Sequence, residues 1–90
     1  MESVEGQDKG KIVVYALSTC GWCSKTKRYL EEQGIGYSFV DVDLLSSAES
    51  KEAQKEVQRW NPRNSFPTTV VNDQVAITGY DTKKLMEAIG

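Results

Sequence analysis

The sequence predicts an α/β sandwich, one mixed four-stranded sheet with helices on both faces, in the order β-α-β-α-β-β-α. Three observations carry this. Residues 11–17, KIVVYAL, are a continuous β-branched and aromatic run, the pattern of a strand buried on both faces. A helical pattern follows over 21–33 and a second strand-like run, YSFVDV, over 37–42, which together make a parallel crossover unit. Two short apolar runs, 68–71 and 74–77, are joined through Asn72-Asp73, residues that tolerate a tight hairpin turn.

Each element has its own local reason. Residues 1–10 are polar, with two glycines, mixed charges and no periodicity, and read as a flexible lead-in to a domain at 11–90. The first helix sets Trp22, Thr26, Tyr29 and Leu30 on one side, and Gly34 and Gly36 stand just past its end. Ser46 with Glu49 three residues later resembles a capping box. Ala53, Val57 and Trp60 follow at helical spacing, with Trp60 read as core, until Asn61-Pro62 stops the helix. A last helix runs from about Asp81, with Leu85, Met86 and Ile89 as its inner face.

Composition narrows the function classes. Ninety residues make one domain, whose core is small. A net charge of -2 provides no long-range basic field, which argues against nucleic acid or an anionic membrane as partner. No apolar run is long enough to span a bilayer, and MESVEGQDKG lacks the basic start and apolar centre of a secretory signal, so the expected compartment is the cytoplasm. The chain has no histidine, which removes imidazole acid-base catalysis, histidine-ligated metals and Cys/His nucleophiles.

Only two cysteines are present, and both lie in STCGWCSK, three positions apart. A permanent bridge is disfavoured in a reducing compartment, and one closing so few residues constrains the unfolded chain little. Cys20 falls just after a buried strand, in the first turn of a helix, where free backbone N–H groups and the dipole favour an anion. Cysteines so placed carry much thiolate at neutral pH, and Lys25, Lys27 and Arg28 lie close by in sequence. On a helix, Cys23 shares the face of Cys20, at a separation a disulfide spans after small adjustment. Cys20 is thus the candidate nucleophile and Cys23 the candidate resolving thiol, the redox state being carried by a Cys20–Cys23 disulfide with no organic cofactor. The competing reading is half of a zinc or iron-sulfur site, with Cys20 from two chains sharing a cluster. No third cysteine and no histidine complete such a site within one chain.

The chain resembles the glutaredoxin-like branch of the thioredoxin superfamily, including NrdH-redoxins, which supply electrons to ribonucleotide reductase. The matching stretches are VVYALSTCGWC, SFPTTVV and ITGYD. The resemblance implies a thioredoxin-like fold of glutaredoxin type and the activity of a small cytoplasmic thiol-disulfide oxidoreductase. By position, Cys20 matches the nucleophile, Cys23 the resolving cysteine, Trp22 the aromatic inside the motif and Pro67 the cis-proline. Phe66 then offers its backbone to an extended substrate as a short added strand. Gly79, Tyr80 and Asp81 match the loop and helix start that hold the substrate's terminal groups. Three residues keep two readings each: Pro67 as the cis-proline or as a trans residue opening an edge strand, Asp81 as substrate contact or as N-cap, and Trp22 as a lid over the sulfur or as packing.

Departures from that pattern bear on the electron donor. Glutathione-using glutaredoxins carry a lysine shortly before the first cysteine, where this chain has Leu17, and a Gly-Gly loop where it has Thr78-Gly79. The motif is Cys-Gly-Trp-Cys rather than Cys-Pro-Tyr-Cys, and the buried acidic residue that thioredoxins place on the preceding strand is absent from KIVVYAL. The resemblance therefore implies a generic dithiol reductant acting on disulfide-containing proteins, ribonucleotide reductase among them. Its donor is an upstream thioredoxin-reductase-type enzyme or a small thiol such as glutathione, and a monomer is expected. A catalytically silent binding domain using the same sheet edge is the remaining alternative.

Overall fold

The β-branched run at β2 (Ile12–Ala16) occupies the centre of the sheet, where both its faces are covered. The structure is a computed structural model and describes residues 2–90. β2 continues through α1 (Gly21–Glu32) into β3 (Tyr37–Asp41), its parallel neighbour, with Val14 beside Phe39. A short 3-10 turn, Val42–Leu44, leads to α2 (Ser47–Trp60). β4 (Thr68–Val71) returns antiparallel to β2 and turns into β5 (Val75–Thr78). Asn72 and Asp73 both take positive φ in that turn, a region that Asn and Asp tolerate better than most residues. α3 (Thr82–Ile89) ends the chain.

α1 and α3 cover one face of the sheet. Ile12, Val14, Ala16, Tyr37, Val71 and Ile77 from the strands meet Cys23, Leu30 and Leu85 from the helices in one cluster closed to water. α2 covers the other face and buries Val57 alone. Ser46 caps α2 as its spacing predicts: its hydroxyl oxygen accepts the Glu49 N–H and donates to the Glu49 carboxylate.

Several expectations are corrected. The sheet has five strands, not four, in the order β1-β3-β2-β4-β5, because part of the stretch read as a flexible lead-in forms β1 (Glu2–Val4). Met1 of that stretch lies outside the described residues. β1 pairs antiparallel with β3, Ser3 beside Ser38, and Gln7 continues the contact by donating to Gly34 O at 2.8 Å and accepting from Gly36 N at 2.9 Å. Backbone pairing needs no side-chain alternation, so an exposed edge strand of three residues leaves little trace in the sequence. Gly6 permits the approach, since a Cβ there would lie 2.5 Å from Gly36 N.

The helix faces also shift. The buried stripe of α1 is Cys23, Thr26 and Leu30; Trp22, one step round the helix, is 57% exposed. On α3, Leu85 is buried while Ala88 and Ile89 pack against the core, and Met86 faces solvent. Trp60 is half-buried, not core: it ends α2, its indole N–H donates to Glu56 at 3.4 Å, and Arg59 lies over its ring.

Candidate functional site

The end of β2 and the start of α1 place the two sulfurs. Cys20 is the N-cap of α1 in extended backbone conformation, and its Sγ accepts the Cys23 N–H at 3.2 Å, the role that a serine or aspartate oxygen fills at other helix starts. An anion at that atom meets the positive end of the helix, and no acidic residue sits in the first turn. Cys20 is half-buried, Cys23 is fully buried, and both are free thiols. Burial pushes the Cys23 thiol up to about 12, reinforced by its hydrogen bond with Cys20 and the charge there. The Leu17 backbone and the Lys27 charge act in the opposite direction.

The nearby cations have other partners. Lys25 Nζ stands 4.5 Å from the centroid of the Trp22 ring. Lys27 Nζ binds Asp41 at 2.9 Å, with both side chains largely buried, and lies over Phe39.

The structure joins Trp22 to Tyr80: their rings stack with centroids 5.8 Å apart, and Tyr29, expected only on the inner side of α1, meets the edge of Tyr80 at 6.5 Å. Trp22 is therefore an exposed aromatic beside the sulfur loop and no part of the core. The Phe66–Pro67 peptide is cis. Tyr15 near the end of β2 pairs with Thr68 at the start of β4, and Phe66 and Pro67 come immediately before Thr68 in the chain. Gly79 donates its N–H to Pro67 O at 2.8 Å from a φ of +76°, a conformation that favours glycine. Asp81 caps α3, accepting the Lys84 N–H at 3.0 Å. A groove of about 420 Å³ beside this loop is lined by Asn61, Pro62, Arg63, Ser65, Thr78 and Gly79.

Two polar side chains hold these loops, and neither was legible as functional. Asn61, buried at the end of α2, donates from Nδ2 to Ser65 Oγ at 2.9 Å and Thr68 Oγ1 at 3.1 Å, and its Oδ1 accepts the Arg63 N–H. Asp43, in the turn after β3, accepts from Ser18 N–H at 2.8 Å through one oxygen and from the Ser18 hydroxyl through the other. The Ser18 hydroxyl and N–H hold the Asp43 carboxyl below the usual carboxylate range. A serine and an aspartate 25 residues apart give no pattern to read. Asn61 is visible in the sequence only as a helix stop.

Among the described residues, no group of three or more His, Cys, Asp or Glu side chains is placed to hold a metal ion, and no helix is long and apolar enough to cross a membrane.

Comparison with known proteins bears on this arrangement. The chain is similar over 99% of its length to the glutaredoxin of Methanosarcina mazei, with 47% identity and a TM-score of 0.94, covering 86% of that chain. It is 52% identical to Methanosarcina acetivorans methanoredoxin over 94% of its length, with a TM-score of 0.91 and 90% of that chain covered. A glutaredoxin-like 8.6 kDa protein encoded in the rubredoxin operon of Clostridium pasteurianum is 28% identical over 87% of this chain and 96% of its own. The glutaredoxin family description matches residues 12–76, a span that holds both cysteines, the Phe66–Pro67 bond, β2, β3, β4 and the start of β5. With that span matched and the fold shared, the chain belongs to the glutaredoxin family.

Proposed function

We propose that this protein reduces disulfides of proteins or small molecules by a dithiol cycle, Cys20 attacking and Cys23 resolving. The observation that carries the reading is the pairing of a half-buried sulfur at a helix N-cap with a fully buried thiol whose own N–H supports it. Burial keeps Cys23 protonated at neutral pH, so Cys20 is the sulfur that meets a substrate first. Its thiolate attacks one sulfur of R–S–S–R′, forming a Cys20–S–S–R bond and expelling R′S⁻. Cys23 then loses its proton and attacks Cys20 Sγ, the mixed bond breaks, and RSH leaves with that proton. Two electrons have passed to the substrate, and an external thiol or reductase returns them.

The surroundings support an extended substrate. Phe66 and Pro67 lead directly into β4, whose first residue pairs with Tyr15 near the end of β2, and substrate backbone adds there as a short strand. Gly79, tied to Pro67, and Tyr80, stacked on Trp22, form the other wall, with Asp81 at the start of α3 beyond them. Ribonucleotide reductase is the family-level candidate among protein substrates. Leu17 and Thr78 favour a thioredoxin-reductase-type enzyme or another small thiol over glutathione as donor.

The test is the midpoint potential of the Cys20/Cys23 couple, measured by thiol labelling across redox buffers and read by intact mass. A reversible two-electron transition is expected in the parent. Cys23→Ser stops at a mixed disulfide, and Cys20→Ser does not react with a small disulfide. A potential near -270 mV favours the reductase donor, and about -200 to -230 mV favours glutathione. If no reversible transition is found, or if only metal release frees the thiols, the dithiol reading fails.

A further inference from the structure

The two hydrogen bonds from Ser18 to Asp43 have a consequence for the second half of the cycle. Ser18 follows Leu17, whose carbonyl accepts the Cys20 N–H at 3.2 Å and whose backbone favours the charged form of the Cys23 sulfur. Between the central strand and the helix, residues 17–19 bridge the gap with no regular secondary structure of their own. One carboxylate takes both donors of Ser18, the backbone N–H and the hydroxyl, and so fixes the position and rotation of that peptide. Asp43 is itself held by the 3-10 turn that follows β3, so the clamp ties the cysteine loop to the neighbouring parallel strand.

We infer that Asp43 is a positioning residue for the resolving step: by clamping Ser18 it holds the Leu17 backbone against Cys23 while that buried sulfur gives up its proton and attacks Cys20. The inference rests on the dithiol reading above. Its physical basis is that a buried thiol becomes a nucleophile only as its charge develops, and the fixed dipole of a neighbouring peptide stabilises that charge without reorganising. A loose loop would have to be ordered during the step. Attack by Cys20 depends less on the clamp, because the main support of that sulfur, the Cys23 N–H, belongs to α1.

The reaction of the reduced protein with dithiodipyridine separates the two steps. Cys20 releases the first thiopyridone as it forms the mixed disulfide, and Cys23 releases the second as it closes the Cys20–Cys23 bond. Both releases are followed by stopped-flow absorbance. In Asp43→Asn the second phase is expected to slow by about tenfold relative to the first, the scale of losing a charge-assisted hydrogen bond. In Ser18→Ala, which keeps the N–H contact and loses the hydroxyl, the same ratio is expected to fall by roughly threefold. A general loss of stability lowers the melting temperature without changing the ratio of two phases in the same folded molecules. The inference is overturned if the ratio in the folded variants stays within about twofold of the parent. Ser18→Ala alone decides it if Asp43→Asn does not fold. A parent that releases no thiopyridone, or only one equivalent, refutes the dithiol reading itself, whatever the variants do.

Discussion

On the face covered by α1 and α3, Val14, Ala16, Cys23, Leu30 and Leu85 are shut off from water, whereas α2, although the longest helix, contributes Val57 alone to the opposite interior. Between α2 and the sheet a groove of about 520 Å³ remains, lined by Tyr15, Val40, Leu45 and Ala53 together with three glutamates. The ends of this thinly packed side nevertheless hold the site: Asp43 ahead of α2 grips the cysteine loop, and Asn61 behind it organises the proline loop. The difference teaches a division of labour. Apolar burial on one face supplies stability and sets the sulfurs, and hydrogen bonds from the other side aim the loops around them.

The largest effects that test this division are core truncations. Leu30→Ala and Leu85→Ala each remove a fully buried side chain from the dense face and are expected to cost about 2–5 kcal/mol of unfolding free energy. Val57→Ala removes two methyl groups from the more thinly packed side and should cost about 1–2 kcal/mol. Urea unfolding measures all three. Equal losses at Val57 and Leu30 would remove the contrast between the faces.

Next in size is Asn61→Ala, which strands donors and acceptors rather than opening an apolar cavity. The Arg63 N–H loses its acceptor, and Ser65 and Thr68 lose their shared donor, at a cost of about 1–3 kcal/mol. The loss should be accompanied by faster amide exchange in residues 62–66 than in β2. Uniform exchange across both segments would show that Asn61 stabilises the whole domain and does not act locally on the loop.

The same contrast governs what is legible in the sequence. Apolar burial leaves periodicity, so β2, β3, β4 and all three helices are readable to within a residue or two, as are the caps at Ser46 and Asp81. The position of the cysteine pair is readable because both cysteines fall at the strand-to-helix junction, which periodicity on either side marks. Trp22, Met86 and Trp60 are misplaced because spacing fixes a helical stripe only to within one position, and the stripe of α1 runs through Cys23 instead. β1 and the Ser18–Asp43 clamp are invisible for another reason: one is backbone pairing at an exposed edge, and the other joins short polar residues far apart in the chain.

The two regions also differ in the pH at which each fails. Cys23, on the dense face, has its folded value raised from the ordinary 9.0 to about 12, so the folded state resists ionisation that the unfolded chain accepts. Its contribution is fully present below pH 9.0 and is lost as pH rises from there towards about 12. With both proteins kept reduced, the stability advantage of the parent over Cys23→Ala should therefore narrow with increasing pH through that window. Asp43 is the reverse case: its folded value is lowered below 3.8, so its contribution is present above that value and is lost as pH falls through the depressed one. The advantage of the parent over Asp43→Asn should narrow in acid and stay constant in base. This is the smallest of the effects, because the carboxylate is exposed to solvent and water screens what it gains. Urea midpoints at matched ionic strength across both windows measure it. If the Asp43→Asn gap narrows in base, or the Cys23→Ala gap narrows in acid, the assignment of the two pH limits to opposite sides of the sheet is wrong.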